Sequence, residues 1–433
     1  MAKKPPAKRT KRKTSKPAAH GLDLGRKSVS QLHGLFGPVW QDARKIVASG
    51  DALDAEMWMS DIVSMWDTLE LIGEDSGLYF GKGLVRYAQG KGGVEGLLIL
   101  VALEAVAAPD LARRAKRARA QVLPSVPAAP SWISHIGHAR PVRAWQASDG
   151  FRDVDAVTLV FSYPEAQEHI LLALIDNNLG GVAKDVMVAA AEDLQEFWGD
   201  AEEAIVEDLD FAVAAARVLD GVRLEAMSID APSDEDVSRV GPLIEARLRR
   251  LSLPEIERPE MTEDERDALC DDFLDSPEAA SLDRDSAGDV AWRLVDLCCD
   301  YLDGDPLRWS PRVVEICLCS WFPMKVMLDS PVEGVPDVVR AWARYAARRK
   351  DLATDLLEVT LAAVDEFEDE FLGVMSDGSR SGVAKSLVTA MLAEGIDPVD
   401  QGAMERWIDD FNSRPYEERT RVMPVGPSGP VGH

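Results

Sequence analysis

The chain has 433 residues, of which 46% are hydrophobic, and carries 48 Lys or Arg against 75 Asp or Glu, a net charge of −27. This length allows two or three domains with a sizeable core. The acidic balance excludes a body that attracts polyanions over most of its surface. The longest apolar run, residues 97–103, is much shorter than the roughly 18 residues of a membrane span. No apolar segment follows the basic N-terminus, and the five Cys do not suggest disulfides. We therefore expect a cytoplasmic protein with no membrane partner.

The first 27 residues combine positive charge with almost nothing to bury, which predicts a disordered basic arm. Such a segment releases counterions from DNA or RNA, and its lack of aromatic side chains makes any binding non-specific. Two other interpretations stay open: the arm folds back onto the acidic body, or it is a solubilising tail. The eight candidate nucleic-acid contacts are Lys3, Lys4, Lys8, Arg9, Lys11, Arg12, Lys13 and Lys16.

Residues 28–123 predict an N-terminal helical domain. The clearest helix covers residues 51–71, because Trp58, Ile62 and Trp66 share one stripe. Residues 97–108 are apolar almost all round and predict a central buried helix. Residues 111–122 carry five Arg or Lys, the one dense basic patch outside the arm.

Three prolines at positions 124, 127 and 130 predict a linker, after which the periodicity changes. The following segment, residues 131–252, predicts a small α+β domain with an antiparallel sheet. Strands are predicted at 157–163, 169–176 and 182–188, with further edge strands at 142–147 and 222–229. Helices at 190–219 and 234–251 are expected to cover one face of this sheet.

A second proline-bounded linker at 254–259 precedes a C-terminal helical domain over 260–415 and a flexible tail over 416–433. Thr262 and Glu265 have the spacing of a capping box. Pro323 is expected to end or kink its helix. The predicted fold class is mainly α, with helical N- and C-terminal regions flanking the α+β module.

Four segments resemble recurring stretches of an uncharacterised helical family of high-GC actinobacteria. They are PVRAWQASD at 141–149, LIDNNLGGVAKD at 174–185, FLDSPE at 273–278 and DPLRWSP at 305–311. The resemblance covers about residues 50–415 and leaves out the basic arm. It implies this order of domains but no activity and no catalytic residue.

The most suggestive local feature is the loop at residues 176–185, which follows an apolar strand. It places carboxylates, amides, a Gly pair and a Lys close together, and its backbone N–H groups are a candidate polar-ligand site. A turn that needs positive φ explains the same residue types. The candidate ligand residues are Asp176, Asn177, Asn178, Gly180, Gly181, Lys184 and Asp185.

No other constellation predicts chemistry, and we expect no cofactor and no metal. His135 and His138 lack a third zinc ligand nearby. The pairs Cys298-Cys299 and Cys317-x-Cys319 do not converge on a helix and are typical of buried thiols. Trp309, before Ser310, is either a helix staple or an anchor for a partner, and the staple is favoured.

These patterns favour a binding or scaffold protein that contacts DNA or RNA through the arm and recognises a protein partner or small ligand through the body. The alternative is an enzyme of unrecognised type with its site near residues 176–185. No catalytic motif identifies a nucleophile or a general base in the sequence.

Overall fold

The computed structural model describes residues 29–70, 76–126, 128–164, 168–193, 204–228, 233–258, 260–328, 330–377 and 380–422. The described chain is mainly α, with one five-stranded antiparallel sheet, which confirms the predicted fold class. The predicted basic arm lies outside the described residues. The chain divides into two compact units, Met1–Ile136 and Gly137–His433.

The N-terminal unit is built around one apolar helix. Helix α4 has no polar face, and Leu97 to Leu103 are all buried, as the sequence predicted. The other four long helices of the described unit all pack against α4. No helix of the described residues is both long and apolar enough to span a bilayer. The helices are α1 Val29–Ser49, α2 Ala52–Glu70, α3 Ser76–Lys91, α4 Gly93–Val106 and α5 Pro109–Val122.

The second unit begins with the sheet, whose strand order is β4-β3-β2-β1-β5. Every neighbouring pair is antiparallel, and the central strands β2 and β3 are buried along nearly their whole length. The predicted hairpin and third strand are therefore confirmed. The strands are β1 Arg140–Ser148, β2 Val154–Ser162, β3 Glu168–Asp176, β4 Val182–Ala190 and β5 Ile205–Leu209.

Two of the predicted elements next to the sheet are wrong. Part of the helix predicted at 190–219 is strand β5, and the edge strand predicted at 222–229 is the end of helix α6, Phe211–Met227. Asp210 starts this helix by accepting hydrogen bonds from the N–H groups of Ala212 and Val213. Val218 and Val222 then lie one turn apart and are both buried, so helical rather than alternating periodicity governs the segment.

Helix α6 and the next helix, α7 Glu235–Leu248, both pack against the sheet. The approach of α6 is closest at Gly221. A Cβ atom there would lie 2.9 Å from the carbonyl oxygen of Gly181 and 2.9 Å from Cδ1 of Ile175. Only a residue without a side chain allows this distance between α6 and the strands.

Most of the C-terminal helices pack around a core that includes Trp342 and Phe273, and the last three pack around a separate cluster of Met391, Trp407 and Phe411. The boundary predicted at 254–259 does not separate two units, since these helices and the sheet form one. The tail predicted from residue 416 begins with helix α16, and residues 423–433 lie outside the described part. The helices are α8 Glu263–Leu274, α9 Arg284–Tyr301, α10 Pro311–Glu315, α11 Phe322–Lys325, α12 Val335–Lys350, α13 Thr354–Asp377, α14 Val383–Ala393, α15 Gln401–Ser413 and α16 Tyr416–Val422.

Pro323 has the predicted effect on its helix. A π-helical segment, Ile316–Trp321, joins α10 to α11, and α11 ends at Lys325. Proline has no N–H to donate to the carbonyl four residues earlier, which is that of Cys319. Arg380 donates to this carbonyl oxygen instead, at 3.2 Å.

A buried polar cluster lies beneath α7. The guanidinium of Arg247 donates to Nε2 of His169 at 3.0 Å and to the Tyr163 hydroxyl at 2.7 Å. Burial, together with the nearby charge of Arg247, lowers the pKa of His169 to about 3. His169 is therefore neutral at physiological pH, and its Nε2 is the acceptor.

Replacing Gly221 with Ala should lower the free energy of unfolding by about 1–3 kcal/mol, because the new methyl group overpacks the contact with β3 and β4. Gly241→Ala in α7 is the matched control. Its Cβ would meet only Cγ1 of Val222 at 3.7 Å, so the helix gains about 0.5–1 kcal/mol. Urea unfolding measures both, and equal stability of the two variants would contradict the close approach of α6.

Buried, neutral His169 should make the protein less stable in acid. The unfolded chain takes up a proton at His169 near pH 6.5, whereas the folded chain does so only near pH 3. The contribution of His169 to the free energy of unfolding is therefore complete above pH 6.5. It falls as the pH drops towards 3, by about 1.4 kcal/mol per pH unit. His169→Gln should reduce the stability difference between pH 7 and pH 5 by about 2 kcal/mol in urea unfolding. An unchanged difference would show that this histidine is not buried neutral.

Candidate functional site

The loop at 176–185 forms a tight connection between β3 and β4. The Asp176 carboxylate accepts a hydrogen bond from the N–H of Asn178 at 2.9 Å and caps a single 3₁₀ turn, Asn177–Leu179. Gly180 and Gly181 follow with φ of 69° and 90°. This is the positive-φ conformation for which the turn interpretation requires glycine.

The N–H groups of this loop are used within the protein. That of Gly180 donates to the carbonyl of Asn177 at 3.2 Å, and that of Gly181 to the carbonyl of Asp176 at 3.0 Å. The N–H of Asn177 donates to the carbonyl of Asp153 at 2.9 Å. These donors therefore do not form the anion-binding cradle considered from the sequence.

The side chains of the loop connect the sheet to the C-terminal helices. Asn178 accepts a hydrogen bond at 2.8 Å from the guanidinium of Arg308, which also donates to Asp153 at 2.7 Å and Asp303 at 2.6 Å. The Arg308 side chain is only 11% exposed. Burial opposes its charge, but Asp303 and Asp153 raise its pKa overall. We call these four residues the Arg308 junction.

A second buried carboxylate lies beside this junction. Asp155 accepts hydrogen bonds from Arg217 at 2.6 Å, from the Nδ2 of Asn177 at 3.1 Å and from the hydroxyl of Ser148. Burial alone would raise the pKa of Asp155, yet these donors lower it overall. The amide of Asn177 thus stabilises a carboxylate that has a structural role.

A cavity of about 180 Å³ borders the loop and is lined by Asn177, Gly180 and Gly181. Its two arginines, Arg217 and Arg258, are already paired with Asp155 and Asp220.

The remaining candidates of the loop do not line this cavity. Burial raises the pKa of Asp176, but that carboxylate is turned to the cap of the 3₁₀ turn. Lys184 is exposed on β4 and Asp185 is half-buried there. The loop therefore brings Asn177, Gly180 and Gly181 to the cavity and provides no uncommitted acid, base or nucleophile.

The other sequence candidates have structural surroundings. All five thiols are free, and burial raises the pKa of Cys270 to about 12 and that of Cys319 to about 11. No group of three metal-ligating side chains occurs among the described residues. Trp309 is buried, and its indole N–H donates to the carbonyl of Pro306 at 3.0 Å, while Ser310 caps α10.

The N-terminal unit carries a basic surface formed by α3 and α5. These helices run parallel, because the side chain of Leu111 lies against Gly81 near their N-termini and Gln89 donates to Gln121 at 2.5 Å near their C-termini. Lys82, Arg86 and Gln89 lie on one stripe of α3, and Arg114, Arg117 and Gln121 on one stripe of α5. The Gln89–Gln121 hydrogen bond places the two stripes side by side. We call the four cations the α3–α5 basic face: Lys82, Arg86, Arg114 and Arg117.

The cations of this face have no carboxylate partner in the part of the chain that the structure describes. Lys82 lies 5.2 Å from the centroid of the Tyr79 ring, and the three arginines are exposed. The other basic residues of α5 differ in this respect. Arg113 pairs with Asp110, whereas Lys116 and Arg119 share Glu104.

The first described helix of the chain, α1, packs against α3. The candidate contacts Lys3 to Lys16 lie outside the described residues, but α1 begins at Val29 and packs against α3. One turn into α1, the Nδ1 atom of His33 lies 2.6 Å from the hydroxyl of Tyr87, which neighbours Arg86 in α3. The start of α1 therefore lies beside α3.

The sequence showed the basic run of α5 but not that α3 lies beside it. Lys82 is half-buried and Arg86 is exposed on α3, and only the parallel packing of α3 on α5 adds them to the patch. The absence of any acidic residue over 76–91 is the signal that would have pointed to them.

Comparison with known proteins gives no match: no family model, no curated protein and no solved structure is similar to this chain. The resemblance to actinobacterial segments stays a prediction.

Removing the centre of the Arg308 junction should destabilise the second unit strongly. Arg308→Leu leaves Asp153 and Asp303 without their buried partner and should lower the free energy of unfolding by about 3–5 kcal/mol. Arg284→Leu, which breaks an exposed pair with Asp275, is the control and should change it by less than about 1 kcal/mol. Adding Asp153→Asn to Arg308→Leu should restore part of the loss. Equal effects of the two arginine variants in urea unfolding would show that the junction is not buried.

Proposed function

We propose that this protein is a nucleic-acid-binding scaffold that contacts the phosphates of DNA or RNA, without sequence preference, through the basic arm and the α3–α5 basic face. The observation that carries the proposal is the separation of charge. Helices α3 and α5 hold eight Lys or Arg and one acid, Asp110, in a chain of net charge −27. Positive charge concentrated in this way attracts a polyanion to one surface.

The spacing of the four cations suits a phosphate backbone. Each helix rises 1.5 Å per residue, so Lys82 and Arg86 are about 6 Å apart along α3, and packed helix axes lie about 8–10 Å apart. Each strand of duplex DNA carries one charge per about 3.4 Å of axis. The face therefore spans two or three successive phosphates, and the arm extends the contact.

The lack of carboxylate partners supports the proposal over a merely solvated face. An arginine already paired within the protein gives up that pair when it meets a phosphate, which reduces the gain. The α3–α5 basic face has no such pairs among the described residues, so its full charge is available for counterion release. The contacts are to phosphates alone, which position a protein but do not select a sequence.

The acidic remainder of the chain limits where nucleic acid binds. Outside the arm, α3 and α5, acids outnumber bases by more than two to one, so this remainder repels phosphates. We propose that the second unit is free to recognise a different partner, a protein or a small ligand, while the N-terminal unit holds the nucleic acid.

The test is the salt dependence of binding to random-sequence duplex DNA and to single-stranded RNA. A fourfold variant, Lys82→Gln, Arg86→Gln, Arg114→Gln and Arg117→Gln, should reduce the slope of log K against log salt on DNA by about 2–3, because two or three phosphate contacts are lost. A Δ1–27 truncation should reduce it further. Fluorescence anisotropy across a salt series measures both.

The matched control neutralises four arginines that are already paired on the second unit, Arg223, Arg239, Arg284 and Arg312. Its slope should equal that of the unaltered protein. If the control lowers the slope as much as the fourfold variant, the effect is one of net charge and the α3–α5 basic face is not a site. If the unaltered protein does not bind at low salt, the whole proposal fails.

A further inference from the structure

A second cavity, of about 330 Å³, lies within the second unit. Four parts of the chain form it: the turn between β1 and β2, the loop before α10, the end of α12 and the start of α13. Its volume is within the range of sites that hold small organic molecules, roughly 300–1,000 Å³.

The walls of this cavity are mainly apolar. They include Phe151, Leu307, Trp309, Ala347 and Leu357, of which Trp309 and Ala347 are buried. An apolar lining of this kind takes up hydrocarbon or aromatic groups, since their transfer out of water is favourable.

The charges of the cavity are unbalanced. Arg152 and Lys350 line it, together with Arg308 and one acid, Asp305. Arg308 is committed to the Arg308 junction, and Lys350 is paired with Asp305 at 2.6 Å. The nearest carboxylate oxygen to Arg152 belongs to Asp155, at 3.9 Å, and Asp155 already has Arg217 at 2.6 Å. One positive charge therefore remains for a ligand anion.

The backbone next to the cavity has positive φ at two residues other than Gly. Arg152 has φ of 58° and Asp351 has φ of 53°, and they are the only residues other than Gly with positive φ in the described chain. Arg152 lines the cavity, and Asp351 stands between two lining residues, Lys350 and Leu352. A left-handed conformation at a residue other than Gly is often found at active sites and ligand clamps.

Hydrogen bonds from the surrounding residues stabilise the backbone conformation of Arg152. Its N–H donates to the carbonyl of Asp149 at 3.2 Å, and its carbonyl accepts from the Nδ2 of Asn177 at 2.8 Å. The Asp149 carboxylate also accepts from the N–H of Phe151 at 2.9 Å. These bonds fix both Phe151, an apolar wall, and Arg152, a charged one.

We infer that this cavity binds a small monocarboxylic acid with an apolar body, on the order of ten non-hydrogen atoms in size. The apolar body lies against Trp309, Ala347 and Leu357. The carboxylate pairs with Arg152 and approaches Lys350, in the geometry that a guanidinium offers to two oxygens.

The experiment is calorimetric titration of the full chain with octanoate and 3-phenylpropionate, each compared with its neutral amide. Both acids should bind saturably and at least about tenfold more tightly than their amides, because one charge-assisted pair is worth about 1.4 kcal/mol or more. The double variant Arg152→Gln and Lys350→Met should remove the preference for the acid and leave amide binding unchanged. Lys45→Met, which removes an exposed lysine paired with Asp42, is the matched control and should bind like the unaltered protein.

Filling the cavity is the second arm. Ala347→Phe should abolish binding of acids and amides alike, and circular dichroism checks that the variant is folded. If it does not fold, Leu357→Trp narrows the same space from the facing helix. The inference is overturned if neither acid binds at millimolar concentration, if the amides bind as tightly as the acids, or if a folded cavity-filling variant still binds.

Discussion

The charge of two carboxylates around the start of β2 is the constraint on which the second unit depends. Asp155 is buried and the side chain of Asp153 is only 14% exposed, so each carboxylate is tolerable only with a positive partner in hydrogen-bond contact. Arg217 of α6 donates a hydrogen bond to Asp155, and Arg308 donates one to Asp153. Arg308 lies more than 150 residues along the chain from Asp153. Because Arg308 comes from the C-terminal helices, this pairing joins them to the sheet as one unit.

The same pairing explains why the polar groups of the loop at 176–185 stabilise the fold and are not available for catalysis or ligand binding. Asn177 and Asn178 complete the hydrogen bonds of Asp155 and Arg308, and Gly180 and Gly181 supply the positive φ that brings both amides into place. A group used in this way is not available as a general base or ligand donor. Four cations without a carboxylate partner among the described residues lie together on α3 and α5, and the proposed function rests on this group in the N-terminal unit.

The turn between β1 and β2 has two roles that its sequence alone does not reveal. Asp153 points to the Arg308 junction, whereas Phe151 and Arg152 line the larger cavity. The hydrogen bonds of Asp149 and Asn177 fix both directions at once, so the left-handed conformation of Arg152 is maintained by the same bonds that stabilise the fold. The consequence is a preformed cavity with one cation, Arg152, whose nearest carboxylate is paired more closely with Arg217.

The sequence by itself determined the helical character of both ends, the buried position of α4, the hairpin of β2 and β3, and the basic run of α5. These features depend on local periodicity and turn chemistry, which are properties of neighbouring residues. The prediction from the sequence was wrong at 222–229, where alternating apolar residues are typical of a strand although the segment packs as a helix. Only the tertiary structure decided that Lys82 and Arg86 join Arg114 and Arg117, that Asp153 meets Arg308, and that Arg152 faces a cavity. These contacts join residues that are distant in the chain, and their positions follow from how helices and strands pack, which local sequence patterns do not encode.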